Sequence, residues 1–360
     1  MKRKGLWWKL PAAVLAFAIA AVLVYLAYAL MTYYRLEDWQ ELTVNGQGAG
    51  PVEKGQSYTL LSYNIGFGAY SPDYSFFMDG GVYSRALSEE AVRTNVTGAL
   101  ETVSAQKPDF VFLQEVDADA TRSYHVDEQA MAAEVLSDMA WVSAQNYDSP
   151  YLLWPLTCPH GASRSGIMTF SGQTVTSSVR RSLPVETGLT RFLDLDRCYS
   201  VTRVPVEGGK ELCLYNVHLS AYTSDGSIAT EQLEMLLADM EAEYAAGNYA
   251  VCGGDFNKDL LGDSAKVFGV AGEGQTWAQP FPGELLDGGI CLEVPDAGAA
   301  DPVPSCRNAD GPYQPGTSFV LTVDGFLVSG NVAVESVAVV DTGFAWSDHN
   351  PVQLTFRLEG

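Results

Sequence analysis

The chain has 360 residues, with 21 basic and 44 acidic side chains, for a net charge near −23. That balance disfavours a surface built for a polyanion, because duplex nucleic acid is bound by clustered Lys and Arg that neutralise phosphates. Six cysteines without a C-x-x-C spacing also argue against a thiolate zinc centre.

Residues 1–35 read as a separate object. Met1 to Lys4 and Lys9 carry the basic charge, and Pro11 to Met31 is a run of 21 uncharged, mostly apolar residues. A run of about 20 apolar residues crosses a bilayer core, and basic residues before it keep that end inside. Tyr33, Tyr34 and Trp39 follow like an interfacial belt. The alternative is a cleaved signal peptide, since Ala27-Tyr28-Ala29 fits a small-residue cleavage site. The run is longer than a usual signal core, so a retained single-pass anchor is expected. Either way the remainder lies outside the cytoplasm. Without the anchor region it holds 16 basic and 44 acidic residues, a net −28.

Residues 36–56 are a short polar linker, and 57–360 suffice for one large layered domain. A strand is expected over Tyr58 to Asn64. Gly66 to Leu87 is irregular and rich in aromatics, Phe76 and Phe77 among them. Ser88 caps a helix running to about Gln106, with acids in its first turn. An apolar strand, Phe110 to Glu115, follows, then a helix over Asp127 to Met139. Two hairpins are expected: Ser165–Phe170 with Gln173–Leu183, turning at Ser171-Gly172, and Cys198–Val206 with Glu211–His218, turning at Gly208-Gly209. A long helix, Ile228 to Ala246, ends at Gly247 before the strand from Tyr249, where two glycines let the backbone turn tightly at Asp255. Gly272 to Thr317 is a long Pro/Gly/Asp-rich loop. It carries Cys291 and Cys306, which could bridge, as could Cys158 and Cys198; six free thiols are equally compatible. Strands over Phe319 to Asp324 and Val352 to Phe356 close the chain. Mixed strands with helices between them suggest two packed sheets with helices outside.

Six of these strands end or begin in a polar group: Asn64, Glu115, His218, Asp255 with Asn257, Asp324, and the Asp348-His349 pair. Core packing asks for none of them. A carboxylate beside an imidazole can bind a divalent metal and move a proton at one site, and the concordance carries more than any single motif.

The motifs S-Y-N-I (Ser62–Ile65), L-Q-E-V (Leu113–Val116), N-V-H-L (Asn216–Leu219), G-D-F-N (Gly254–Asn257), V-D-G-F (Val323–Phe326) and S-D-H-N-P-V (Ser347–Val352) resemble, in this order, those of the endonuclease/exonuclease/phosphatase superfamily, the deoxyribonuclease-I-like fold. They span nearly all of the chain beyond its N-terminus. The resemblance implies a four-layer α/β sandwich, two packed mixed β-sheets flanked by helices, here with one N-terminal transmembrane helix. It implies a metal-dependent hydrolase of phosphoesters.

Carried over to these positions, Glu115 would be a metal ligand, with Asn64 and Asp348 beside it. Asp255 would orient or deprotonate water. Asn257 and His218 would hold phosphoryl oxygens, and His349, fixed in its tautomer by Asp324, would contact the phosphate. Few imidazoles and several carboxylates suit Mg²⁺ or Mn²⁺ better than Zn²⁺. Arg164, in Arg164-Ser165-Gly166, is a candidate phosphate contact, and Phe76 and Phe77 are candidates to meet an apolar part of the substrate. His125 and His160 fall in no motif and read as surface or packed histidines. The aromatic loop after Asn64 is longer than in compact nucleases of the superfamily. With the acidic charge, it points to a small or lipid-borne phosphodiester rather than nucleic acid. A surface or secreted nuclease, or a non-catalytic binding module, are the alternatives. No protein partner is inferable.

Overall fold

The computed structural model describes residues 9–185, 196–221, 227–270 and 278–360. The basic end Met1–Lys4 and part of the long loop after Gly272 lie outside the described residues. The chain opens with α1 (Lys9–Thr32), an exposed helix of mean hydropathy 2.5 over its most apolar window, long and apolar enough to cross a membrane. Then come β1 (Gln40–Glu41), β2 (Ser57–Asn64), α2 (Glu89–Gln106), β3 (Phe110–Ala120), α3 (Glu128–Val135) and β4 (Ala140–Leu152). The middle holds β5 (Gly161–Ser171), β6 (Ser177–Ser182), β7 (Cys198–Val206), β8 (Lys210–His218), α4 (Ser227–Ala245), β9 (Tyr249–Asp255) and α5 (Ser264–Phe268). The last part holds β10 (Ile290–Glu293), β11 (Cys306–Arg307), β12 (Val320–Leu321), β13 (Asp324–Ser329), β14 (Val332–Val339) and β15 (Val352–Leu358).

Two mixed sheets form. One runs β1-β6-β7-β8-β9-β13-β10 and the other β14-β15-β2-β3-β5-β4. Within them β2–β3 and β8–β9 are parallel, each joined by a crossover that contains a helix. Their strands are near-continuous apolar runs because both faces are covered. Leu60, Phe110, Phe112, Leu214, Val251 and Phe356 fill the space between the sheets. Leu61, Tyr63, Val111 and Leu113 face the other way, toward α2. Leu233, Leu236 and Met240 of α4 cover the outer face of the first sheet. Helix, sheet, sheet and helix are the four expected layers.

The local expectations hold at several ends. Ser88 caps α2, its Oγ accepting from the Ala91 N–H at 3.1 Å. α3 is shorter than expected, because the chain leaves the helix at Leu136 and enters β4 at Ala140. The hairpin expected around Ser171-Gly172 does not form. β5 pairs with β3 and β4, while β6 pairs with β1 and β7, so the turn passes from one sheet to the other. Gly253 and Gly254 do not turn the chain either, since both lie inside β9. A Cβ on Gly253 would meet Phe326 at 2.7 Å, and one on Gly254, at φ +147°, would meet the Val217 carbonyl at 1.9 Å. They are there for close approach of sheet and strand. All six cysteines are free thiols, so neither candidate bridge is made.

Candidate active site

The six polar strand ends meet at one end of the sandwich, each delivered by a backbone device. His218 of β8 and Asp324 of β13 are both register partners of Asp255 on β9, so strand pairing alone sets three polar groups in a row. Glu115 does not end β3, as the sequence suggested; the strand continues to Ala120. A bulge between Leu113 and Val116 puts Glu115 at φ +55°, which breaks the alternation and turns its carboxylate toward the cleft. Asp324 opens β13 rather than closing the strand before it.

Hydrogen bonds then fix the side chains. The Asn64 Oδ1 accepts from the Gly66 N–H at 3.0 Å, which aims its Nδ2 at Asp255 Oδ2 (3.0 Å) and Glu115 Oε1 (3.4 Å). Asn257, at φ +48°, donates its N–H to Asp255 Oδ1 at 2.9 Å and its Nδ2 to the Leu219 carbonyl at 2.8 Å. The His349 Nδ1 lies 2.8 Å from Asp324 Oδ2, which also accepts from Ser305 Oγ at 2.7 Å. A carboxylate partner means that Nδ1 carries the proton and that Nε2 is the working nitrogen. That Nε2 stands 3.7 Å from Asp255 Oδ2, while His218 Nε2 stands 3.6 Å from the same oxygen. Beneath the site Gln114 donates to Asn216 Oδ1 at 2.8 Å, and Asn216 donates to the Leu113 and Met168 carbonyls. This buried amide network ties the L-Q-E-V and N-V-H-L strands together across the two sheets.

Burial governs the electrostatics. It pushes the Asp255 carboxyl up to about 7; Asp324 adds to this, while His349 and the amides around it pull the other way. Burial would lower the His349 imidazole, but the Asp324 carboxylate bonded to it, with Asp255 nearby, outweighs this and holds it well above its ordinary value. His218 is the opposite case: burial, with Arg197 and His349 nearby, keeps it neutral. Asp348 is raised by burial despite the cations His349 and Arg307.

The cleft holds about 150 Å³. Glu115, His218, Asp255, Asn257, Asp348 and His349 line it; Asn64 and Asp324 support them from behind. Two expectations need correction. Arg164 is exposed and does not join the site: side chains alternate along β5, so Ser165 takes the cleft position. Phe77, half-buried against Phe76, does not line the cleft; Phe76 does, as a contact to an apolar part of the substrate requires, although it is only 8% exposed and packed with Phe67 and Tyr70.

Sequence reasoning missed Arg122, Arg307, His160 and Cys306, which also line the cleft. Each stands alone in its stretch, so no basic run betrayed a local positive wall. Arg122 is held by both oxygens of Asp117 (2.8 and 3.0 Å), its guanidinium 3.9 Å from the Phe67 ring centre. Arg307 is buried and donates to the carbonyls of Tyr70, Ser71 and Asn308.

Asp255, Asp324 and His349 bring three candidate ligand atoms within 4.8 Å of one another. With Glu115 and Asp348 beside them, the donors are mainly carboxylate oxygens, and the buried Asp324 Oδ1 has no hydrogen-bond partner. Such a set fits a hard divalent cation.

Residues 61–349 match the model of the Endonuclease/Exonuclease/phosphatase family. The chain belongs to this family. It is therefore a phosphoesterase of that family, with a buried Asp/Asp/His cluster in its cleft. An endonuclease/exonuclease/phosphatase from Beutenbergia cavernae aligns at 20% identity and TM-score 0.56, over 85% of this chain and 72% of that one. TDP2 of D. rerio aligns at 16% identity and TM-score 0.53, over 84% and 99%. The human nocturnin catalytic domain aligns at 18% identity and TM-score 0.51, over 88% and 97%. These likenesses show the shared fold. No curated protein sequence matches.

Proposed function

We propose that this phosphoesterase is a single-pass membrane protein that hydrolyses a small or lipid-borne phosphodiester outside the cytoplasm, with Mg²⁺ or Mn²⁺ as its ion. The convergence of Asn64, Glu115, His218, Asp255, Asp324 and His349 around one small cleft supports it best. The acidic outer domain favours a small phosphoester over duplex DNA. Relatives of this fold act on different phosphodiesters: D. rerio TDP2 is seen with a single-strand DNA product, and ANGEL2 is a 2′,3′-cyclic phosphatase.

Glu115 and Asp348, with Asn64 between Glu115 and Asp255, would hold the ion. Asp324 would offer its free Oδ1, its Oδ2 being engaged by His349 and Ser305. When bound, the cation polarises a phosphoryl oxygen and stabilises the charge that develops on it. Asp255, raised toward neutrality by burial, takes a proton from the attacking water and is oriented by Asn64 and Asn257. His349, kept cationic by Asp324, donates from Nε2 to the phosphate. His218 and the second amide hydrogen of Asn257 donate to other phosphoryl oxygens.

Turnover of a soluble aryl phosphodiester should stop in chelator and return with Mg²⁺. Asp255→Asn and His349→Ala should each lower it by at least about 10²-fold. Full turnover in chelator, or in both variants, refutes the mechanism. A panel of plasmid, inositol phosphates and phospholipid vesicles then decides the substrate; preferential plasmid cleavage would make the chain a surface nuclease.

A further inference from the structure

Among the described residues of the catalytic domain, the three most exposed large apolar side chains, Val82, Leu156 and Trp154, lie on two loops that touch each other. After β4, Leu153 is 40% exposed, Trp154 66% and Leu156 74%; on the aromatic loop after β2, Val82 is 77% exposed and Met78 37%. Ser84 Oγ donates to the Cys158 carbonyl at 2.5 Å, Arg85 Nε donates to the Pro159 carbonyl at 2.6 Å, and His160 Nδ1 donates to the Ser84 carbonyl at 2.8 Å. Met78, Phe76 and His160 of these loops line the cleft.

The same patch is joined to α1. Tyr25 OH donates to the Tyr151 carbonyl at 3.3 Å and accepts from the Leu153 N–H at 3.3 Å; Tyr28 OH accepts from the Tyr151 N–H at 3.2 Å. If the span is Pro11 to Met31, Tyr28 and Tyr25 lie three and six residues inside its outer end. At the helical rise of 1.5 Å per residue this is roughly 5–9 Å below the edge of the apolar run. A surface helix or loop that lies in the interface sits about 5–10 Å deep, so the two depths agree. Large apolar patches on a soluble face mark a binding surface, and Trp and Tyr are the residues that suit a bilayer interface.

We infer that Leu153 to Leu156, with Val82 and Met78 beside it, is immersed in the outer leaflet of the bilayer that α1 crosses, so that the catalytic cleft opens at the membrane surface. This rests on α1 being a retained span and deepens the lipid-borne substrate reading. The bilayer is the fitting occupant because the patch continues the surface of an apolar helix. The strong negative charge of the outer domain suits a neutral, zwitterionic leaflet and is repelled by an anionic one.

The test uses the full chain in phosphatidylcholine vesicles whose acyl chains carry bromine near the headgroup. The emission lost in Trp154→Phe is that of Trp154. Bromine should quench that difference roughly twofold or more relative to unbrominated vesicles, if the indole sits at interfacial depth. The paired variant Trp154→Ser/Leu156→Ser should lower turnover of a vesicle-borne phosphodiester roughly tenfold, and leave a soluble aryl phosphodiester within about twofold, which also shows that it folds. An unquenched Trp154 in a chain with normal soluble turnover overturns the immersion and leaves the active site standing. Quenching without any lipid turnover supports the immersion and rejects the lipid substrate. A Trp154 buried against a co-purifying protein, and unquenched by lipid, also overturns it.

Discussion

At the floor of the cleft, His218, Asp255 and Asp324 stand in one register row across β8, β9 and β13, whereas at its rim Phe76, Met78 and His160 stand on loops outside the two sheets. The floor is held by backbone pairing and by short hydrogen bonds between charged groups. The rim is held by aromatic contacts, by single backbone bonds such as Phe76 N–H to the Ala309 carbonyl at 2.7 Å, and by bonds from side chains to carbonyls such as His160 to Ser84. Strand pairing fixes a position to within a fraction of an ångström for any sequence that keeps the register. Loop packing fixes it only for a sequence that fills the same space. The chemistry is therefore expected to depend on the floor, and substrate choice on the rim.

The floor breaks first if its strand path is altered. Gly254→Ala would bring a Cβ to 1.9 Å from the Val217 carbonyl at φ +147°, and neither backbone can yield without separating β8 from β9. The expected cost exceeds about 4 kcal/mol, enough to unfold a domain of ordinary stability. A thermal melt in detergent should show loss of the cooperative transition or a large fall in its midpoint. A variant that melts like the parent would mean that the His218–Asp255 register is not what places these groups.

The rim is expected to lose stability as pH falls, through His160, whereas the raised Asp255 on the floor contributes a slope of the opposite sign. Burial, with the Arg122 charge nearby, lowers its imidazole to about 4. Its Nδ1 donates to a carbonyl, so the neutral form is the one that fits. The unfolded value is near 6.5. Between these values the unfolded chain binds a proton that the folded chain refuses, so stability is full above pH 6.5, falls as pH drops and levels off below about 4. The total is about 3 kcal/mol. In His160→Gln that slope should be absent. Urea denaturation at pH 7.5 and 5 compares the two, and equal slopes would show that His160 is not buried as described.

The same contrast explains what was legible beforehand. The strands announced themselves as apolar runs, and the polar residues at their ends were conspicuous because a core has no use for them. That gave the layers and all eight floor residues from Asn64 to His349. The bulge at Glu115 and the passage of the chain from β5 to β6 were not legible, because both depend on which sheet a strand joins, and local pattern carries no such information. The rim was harder still. Arg122 and Arg307 lie far apart in the chain and come together only through folding, so the basic wall of the cleft had no local signature. Phe76 had an obvious one, an aromatic in a long loop; that loop folds onto α2, so that Phe76 packs into the core while lining the cleft. Trp154, 66% exposed, is the aromatic left outside.

Arg164 offers the smallest expected effect and the sharpest check on which face of β5 lines the cleft. By sequence it belongs with the site, next to Ser165. In the fold it is exposed, and its register partners are Asp119 on β3 and Asp148 on the edge strand β4, neither of which lines the cleft. An exposed charge beside an exposed acid and a half-buried one contributes little, within about 0.5 kcal/mol, because solvent screens it. Arg164→Ala should therefore leave both melting and turnover of a soluble phosphodiester within about twofold of the parent. Ser165 makes the control: its buried hydroxyl lines the cleft. Ser165→Val, which would place two methyl groups there, should raise KM or lower kcat while Arg164→Ala does neither. If Arg164→Ala instead removes most of the turnover and Ser165→Val is silent, β5 presents its other face to the substrate, and the rim has to be redrawn around an arginine.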